Sequence, residues 1–111
     1  MPSSNSLTAG APAPNQARRF STLLNRNVWV GRRRTSLRLE ADMWQALEEV
    51  AADSGLTIHE LCTRIDGVRR ESSLTAAVRV FLLRYYKLAR QQGAPLPARS
   101  LVDRALLNEL V

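Results

Sequence analysis

The chain is poor in the residues that carry most chemistry. Its 111 residues include one cysteine, Cys62, and one histidine, His59. A lone cysteine cannot close an internal disulfide, and nothing points to an oxidising compartment. The two residues lie three apart with no further ligands nearby, so no metal site and no cofactor is expected. No glycine-rich loop of the phosphate-cradling kind occurs, and no Ser–His–Asp order suggests a triad. The chain is therefore not expected to be an enzyme. Long apolar runs are missing too. None approaches the length needed to span a bilayer, and the N-terminus lacks the apolar stretch of a secretory signal. A cytoplasmic protein without a membrane partner is the expectation.

The most informative absence is of acid. Residues 1–39 contain seven arginines (Arg18, Arg19, Arg26, Arg32, Arg33, Arg34 and Arg38) and no Asp or Glu. The remaining residues, 40–111, hold nine basic and ten acidic side chains, so the formal net charge of +6 resides wholly in the first third. A basic arm ahead of a charge-balanced domain is the electrostatic footprint of an anionic-polymer binder. Fifteen of the sixteen basic residues are Arg, whose planar fork suits bidentate contacts to phosphate and guanine. An Arg- and Ser-bearing, acid-free N-terminus is also the composition of an organelle transit segment. Against that reading, the basic run continues into a segment with the pattern of folded structure.

Residues 1–27 are read as a disordered basic arm, because Ser, Asn, Ala, Gly and Pro bury too little surface to offset ordering entropy. Residues 28–39 read as extended, with Gly31 as a bulge or bend. From Arg33 the residues alternate: Thr35, Leu37 and Leu39 face one way, Arg34, Ser36 and Arg38 the other. Such a strand needs a partner, and no similar strand follows it, so the simplest supplier is the same strand of a second copy.

Helical spacing follows. A helix over 41–53 carries Met43, Trp44, Leu47, Val50 and Ala51 on one face, has acids at its start and stops at Gly55. A second helix over 58–70 opens with the capping box Thr57…Glu60 and carries Ile58, Leu61, Cys62, Ile65 and Val68. A third, over 74–91 after Ser73 as N-cap, is apolar beyond one stripe and wants burial on two sides. Gly93, Pro95 and Pro97 break the chain before a weaker helix over 98–109. The expected organisation is an arm (1–27), a strand–helix domain with an extra helix (28–91), and a linker with a short helix (92–111).

The order strand, helix, glycine turn, helix, written RRTSLRLEADMWQALEEVAADSGLTIHELCTRI, resembles the ribbon-helix-helix family of the Arc and methionine repressors. The resemblance covers roughly 33–70, and the later LTAAVRVFLL run is similar to a subgroup with an extra helix. It implies a mainly α fold in which one N-terminal strand per chain pairs antiparallel with its counterpart in a homodimer. One or two additional helices follow at the C-terminal end. It further implies that this ribbon enters the major groove of double-stranded DNA, with Arg34, Ser36 and Arg38 reading bases. The start of the second helix, at Thr57, Ile58 and His59, is implied to hold phosphate, with Arg32 and Arg33 adding contacts. The implied function is a sequence-specific transcriptional regulator, a repressor by analogy with those named. The departures are Glu40, where many members have Pro, and the extra helix. That helix could enlarge the dimer, build a tetramer on DNA, or bind a protein partner as an antitoxin does.

Overall fold

The computed structural model describes residues 22–91 and 96–107. Expectations that fall on 1–21, including Arg18 and Arg19, lie outside the described residues. Two strands, β1 (Leu23–Val30) and β2 (Arg33–Glu40), are followed by α1 (Ala41–Ser54), α2 (Ile58–Val68), α3 (Leu74–Gln91) and α4 (Ala98–Ala105).

The alternation at 33–40 produces β2 as expected, with Leu37 and Leu39 buried and Arg34, Ser36 and Arg38 exposed. Its partner differs. The sequence reading places the second strand in another copy, whereas the structure supplies it from the same chain. β1 pairs antiparallel with β2 in the register Leu23↔Glu40 through Val30↔Arg33. Residues 23–27, read as part of the arm, form the first half of that strand. Gly31 is neither bulge nor bend within one strand. It takes φ 63° as the first of two turn residues, a conformation that primed hairpin turns demand and that glycine adopts without Cβ strain. The physical reason for the in-chain partner is proximity. A strand tethered through two residues is already at hand, while a second chain must first give up translational and rotational freedom, about 4–15 kcal/mol.

Each helix is bounded by local chemistry. Glu40 precedes α1 as an extended residue without a side-chain cap, and Gly55, at φ 74°, ends it by donating its N–H to the Ala51 and Ala52 carbonyls. The Thr57–Glu60 capping box closes in both directions at the start of α2. Ser73 Oγ accepts from the Ala76 N–H at 3.1 Å, as its N-cap role before α3 requires. The terminal helix is shorter than its sequence pattern, ending at Ala105, with Leu106 as its C-cap.

The core lies between the inner face of the hairpin and the helices. Val28, Val30, Leu37 and Leu39 meet Trp44, Leu47, Leu61, Ile65, Val78 and Phe81, all buried. The two-sided burial wanted by α3 is met partly by α4, whose Leu101, Val102 and Ala105 join the same core. Arg99 anchors α4 to the end of α1 by donating from Nε to the Ser54 carbonyl at 3.0 Å. Arg64 and Asp103, 3.7 Å apart, tie α4 to α2. No described helix is long and apolar enough to cross a membrane.

Candidate nucleic-acid interface

The side chains of paired residues in an antiparallel ladder share a face. The register therefore sets Asn25 opposite Arg38, Asn27 opposite Ser36 and Trp29 opposite Arg34 on the side away from the helices. All six are exposed. The hairpin is thus apolar inside and polar outside, and its outer face carries two arginines, two asparagines, a serine and a tryptophan. No carboxylate shares that face among these three pairs. Ser36 Oγ donates to Asn25 Oδ1, which orients the amide across the ribbon.

The structure brings together the three sequence-expected readers, Arg34, Ser36 and Arg38, on one surface. It adds Asn25 and Asn27, which sequence reasoning missed, and sets Trp29 beside them. Trp29 is 46% exposed, whereas Trp44 is buried as expected. A signal for the missing strand was present: Val28 and Val30 alternate, and Gly-Arg separates them from the next alternating run, as in a two-residue hairpin.

The outer edge of β1 is bonded to α2 next to the turn. The Trp29 N–H donates to His59 Nδ1 at 3.0 Å, and the Gly31 N–H donates to Thr63 Oγ1 at 2.9 Å. The Thr63 hydroxyl passes its own proton to the His59 carbonyl at 2.8 Å. At the other end, Trp44 Nε1–H donates to the Leu24 carbonyl at 2.8 Å. The Trp29 and Gly31 bonds occupy N–H groups near the turn that would otherwise template another strand. With the Trp44 bond they also fix the hairpin against α1 and α2.

The expected phosphate residues separate into distinct environments. Thr57 is committed locally: its N–H goes to Glu60 Oε1 at 2.8 Å, and its Oγ1 accepts the Glu60 N–H at 3.0 Å. Those bonds hold the Glu60 carboxyl below its usual range, so an acid already sits at this helix start. Ile58 is half-buried against the core. His59 is exposed, and because Nδ1 accepts from Trp29, its Nε2 is the nitrogen left to donate outward. Trp29, Gly31, His59, Glu60, Thr63 and Arg64 line one open cleft of about 320 Å³ between the hairpin tip and α2. Arg32 is exposed in the turn. Arg33 is also exposed, but leans toward the helix side, with Nη2 at 4.0 Å from Asp66 and Nε at 3.4 Å from Thr35 Oγ1.

Two other charges are spoken for. Arg26, in the basic arm by sequence, points to the helix side. There it meets Glu48 at 2.9 Å and stacks 4.4 Å from the Trp44 ring centre. Glu40, the departure beside the readers, is bound by Arg79 at 2.9 Å. The hydrogen bond from Arg79 lowers its carboxyl pKa, so the charge at the end of the ribbon is offset from within the fold.

A family model described as a ribbon-helix-helix domain matches residues 23–86, which include β1 as well as β2. No curated protein matches. Among solved structures, an uncharacterized protein from Bordetella pertussis Tohama I is similar, with 27% sequence identity, 92% of each chain covered and a TM-score of 0.58.

Proposed function

Because residues 23–86 place the chain in the ribbon-helix-helix domain family, we propose that it is a sequence-specific double-stranded DNA-binding transcriptional regulator that inserts its β-ribbon into the major groove. The observation that carries this reading is the two-faced hairpin, with Arg34, Ser36 and Arg38 exposed over a buried apolar underside. Paired strands lie about 4.8 Å apart, so a two-stranded ribbon fits a groove about 12 Å wide. Arg34 and Arg38 can each grip guanine O6 and N7, and Ser36 can donate or accept.

Phosphates flank this reading face. In this reading Arg32 at the turn, Arg33 once released from Asp66, His59 Nε2 and the first-turn N–H groups at Ile58 and His59 would meet the DNA backbone. If about six phosphates are neutralised, the logarithm of affinity falls against the logarithm of salt with a slope near −5. Repression, through occlusion of the bound site, is the simplest regulatory outcome for such a chain.

Homodimerisation belongs to the proposal, but no longer as a condition for forming the ribbon. Two copies bring two ribbons, and further pairing on DNA would give a tetramer. A second reading, a protein-interaction module, is favoured by one observation: Leu83 and Tyr86 on α3 are exposed beside the half-buried Met43 and Ala46 of α1. The apolar face of α4 is not available for that role, since Leu101, Val102 and Ala105 are buried in this chain's own core.

The test is selection of bound duplexes from a random pool, followed by titration of Arg34→Ala/Arg38→Ala. The double variant is expected to lose about 30-fold or more in affinity for the selected site, at 1 kcal/mol or more per arginine. Wild-type affinity in that variant would remove the ribbon from the interface. Salt-insensitive retention on heparin, with a stoichiometric protein partner recovered at high salt, would favour the interaction module.

A further inference from the structure

A ribbon made of one strand from each of two identical chains is two-fold symmetric, and each reading residue then occurs twice about its centre. This hairpin has no such symmetry. One strand presents Asn25, Asn27 and Trp29; the other presents Arg38, Ser36 and Arg34. We propose that β1 is a second reading strand, so that each chain's own hairpin recognises an asymmetric DNA element, with Asn27 and Asn25 selecting adenine where Arg34 and Arg38 select guanine. The proposal rests on the DNA-binding reading above.

Four points support it. Asn25, Asn27 and Trp29 are exposed and share the outer face with the arginines, so a groove that admits one set admits the other. Their chemistry is that of base readers: the asparagine amide pairs its oxygen with adenine N6–H and its nitrogen with N7. The adjacent Val28 and Val30 are buried, which holds the second half of the strand at a fixed height above the core. Asn25 is also preoriented, since Ser36 donates to its Oδ1. Trp29 lies beside the turn, where its ring can cover a thymine methyl or a sugar.

The spacing yields a pattern. Outward side chains on a strand recur every second residue, about 6.8 Å, and base pairs stack about 3.4 Å apart along the helix. Neighbouring readers on one strand therefore fall about two base pairs apart, and the three on each strand span about five. Because the strands run in opposite directions, the Asn25 end of the face lies beside Arg38, and the Trp29 end beside Arg34.

The experiment is selection from a random duplex pool with the full chain, wild type and Asn27→Ala and Asn25→Ala variants, with each folded state checked by thermal melting. Wild type is expected to enrich a core of about five base pairs that is not its own reverse complement. Asn27→Ala is expected to lose at least about fivefold of its preference at one adenine position while the guanine positions persist. Arg38→Ala should erase a guanine preference toward the other end instead. A palindromic core with Asn25→Ala and Asn27→Ala selecting the wild-type motif at full preference overturns the proposal, while the arginine dependence would leave the DNA-binding reading standing. A wild-type pool with no enriched sequence overturns both.

Discussion

Leu37 and Leu24 offer a sharp test of the hairpin, because both sit at inward-facing register positions and their burial is opposite. Leu37 is 1% exposed and lies directly beneath the polar outer face, between Ser36 and Arg38; Leu24 is 49% exposed at the open end of β1. Truncating a fully buried leucine removes its transfer free energy and leaves a cavity, about 3 kcal/mol in a well-packed core. In a domain of 60–100 residues each kcal/mol moves the midpoint by about 4–8 °C, so Leu37→Ala should melt about 12–24 °C below wild type. Leu24→Ala should cost under about 1 kcal/mol, since half of its surface is already wet. The assay is thermal melting by circular dichroism at one protein concentration. If Leu37→Ala melts no lower than Leu24→Ala, the burial of β2 beneath the hairpin's outer face is refuted.

Further outcomes follow from the caps and from the lone thiol. The Thr57 backbone N–H holds the Glu60 carboxyl, and the Arg79 hydrogen bond holds that of Glu40, below their ordinary value of 4.5. Their contribution is fully present above pH 4.5 and is lost as pH falls through the lowered folded values. Glu60→Gln keeps a capping partner without the charge, so its melting point should fall less steeply than wild type below pH 4.5; an unchanged slope would remove Glu60 from the acid response. Thr57→Ala should cost about 1 kcal/mol in urea titration, and no loss would mean that the box does not hold the helix start. Burial pushes the Cys62 thiol up to about 12, so an aromatic disulfide reagent at neutral pH should leave the native protein unmodified and titrate one thiol after denaturation. Rapid labelling of the folded chain would contradict that burial. Gly55→Ala should destabilise by about 1–2 kcal/mol through its left-handed backbone alone, because an added Cβ comes no closer than 3.9 Å to its nearest neighbour, the end of Arg99.

Much of the fold was legible because the responsible interactions are local. The alternation from Arg33 to Glu40, the Thr57–Glu60 box and Gly55 each fix an element within a few residues, and β2, α1, α2 and α3 follow them closely. β1 was hidden for a physical reason. Its centre, Asn25-Arg26-Asn27, is polar on both faces and lacks the apolar alternation of a half-buried strand. Arg26 occupies an inward register position, yet reaches past the core to Glu48 and lies over Trp44, so its stem packs while its charge stays solvated. No sequence period reports a pairing of that kind. The same holds for His59: its hydrogen bond to the Trp29 N–H joins residues 30 apart and exists only once the hairpin is docked. The candidate face was consequently half visible. Arg34, Ser36 and Arg38 follow from parity on one strand, while Asn25, Asn27 and Trp29 require the register of two.

The position of α4 bears on the order in which the molecule can be made. Synthesis delivers the hairpin first, then α1, α2 and α3. The seat for Leu101, Val102 and Ala105 between α1 and α3 stays bare until the last of these elements leaves the ribosome. A nascent chain paused after α3 would hold a finished hairpin on an incomplete core, with apolar surface open to chaperones or to other nascent chains. The Arg99 bond to the Ser54 carbonyl then ties the last described helix back to the end of the first.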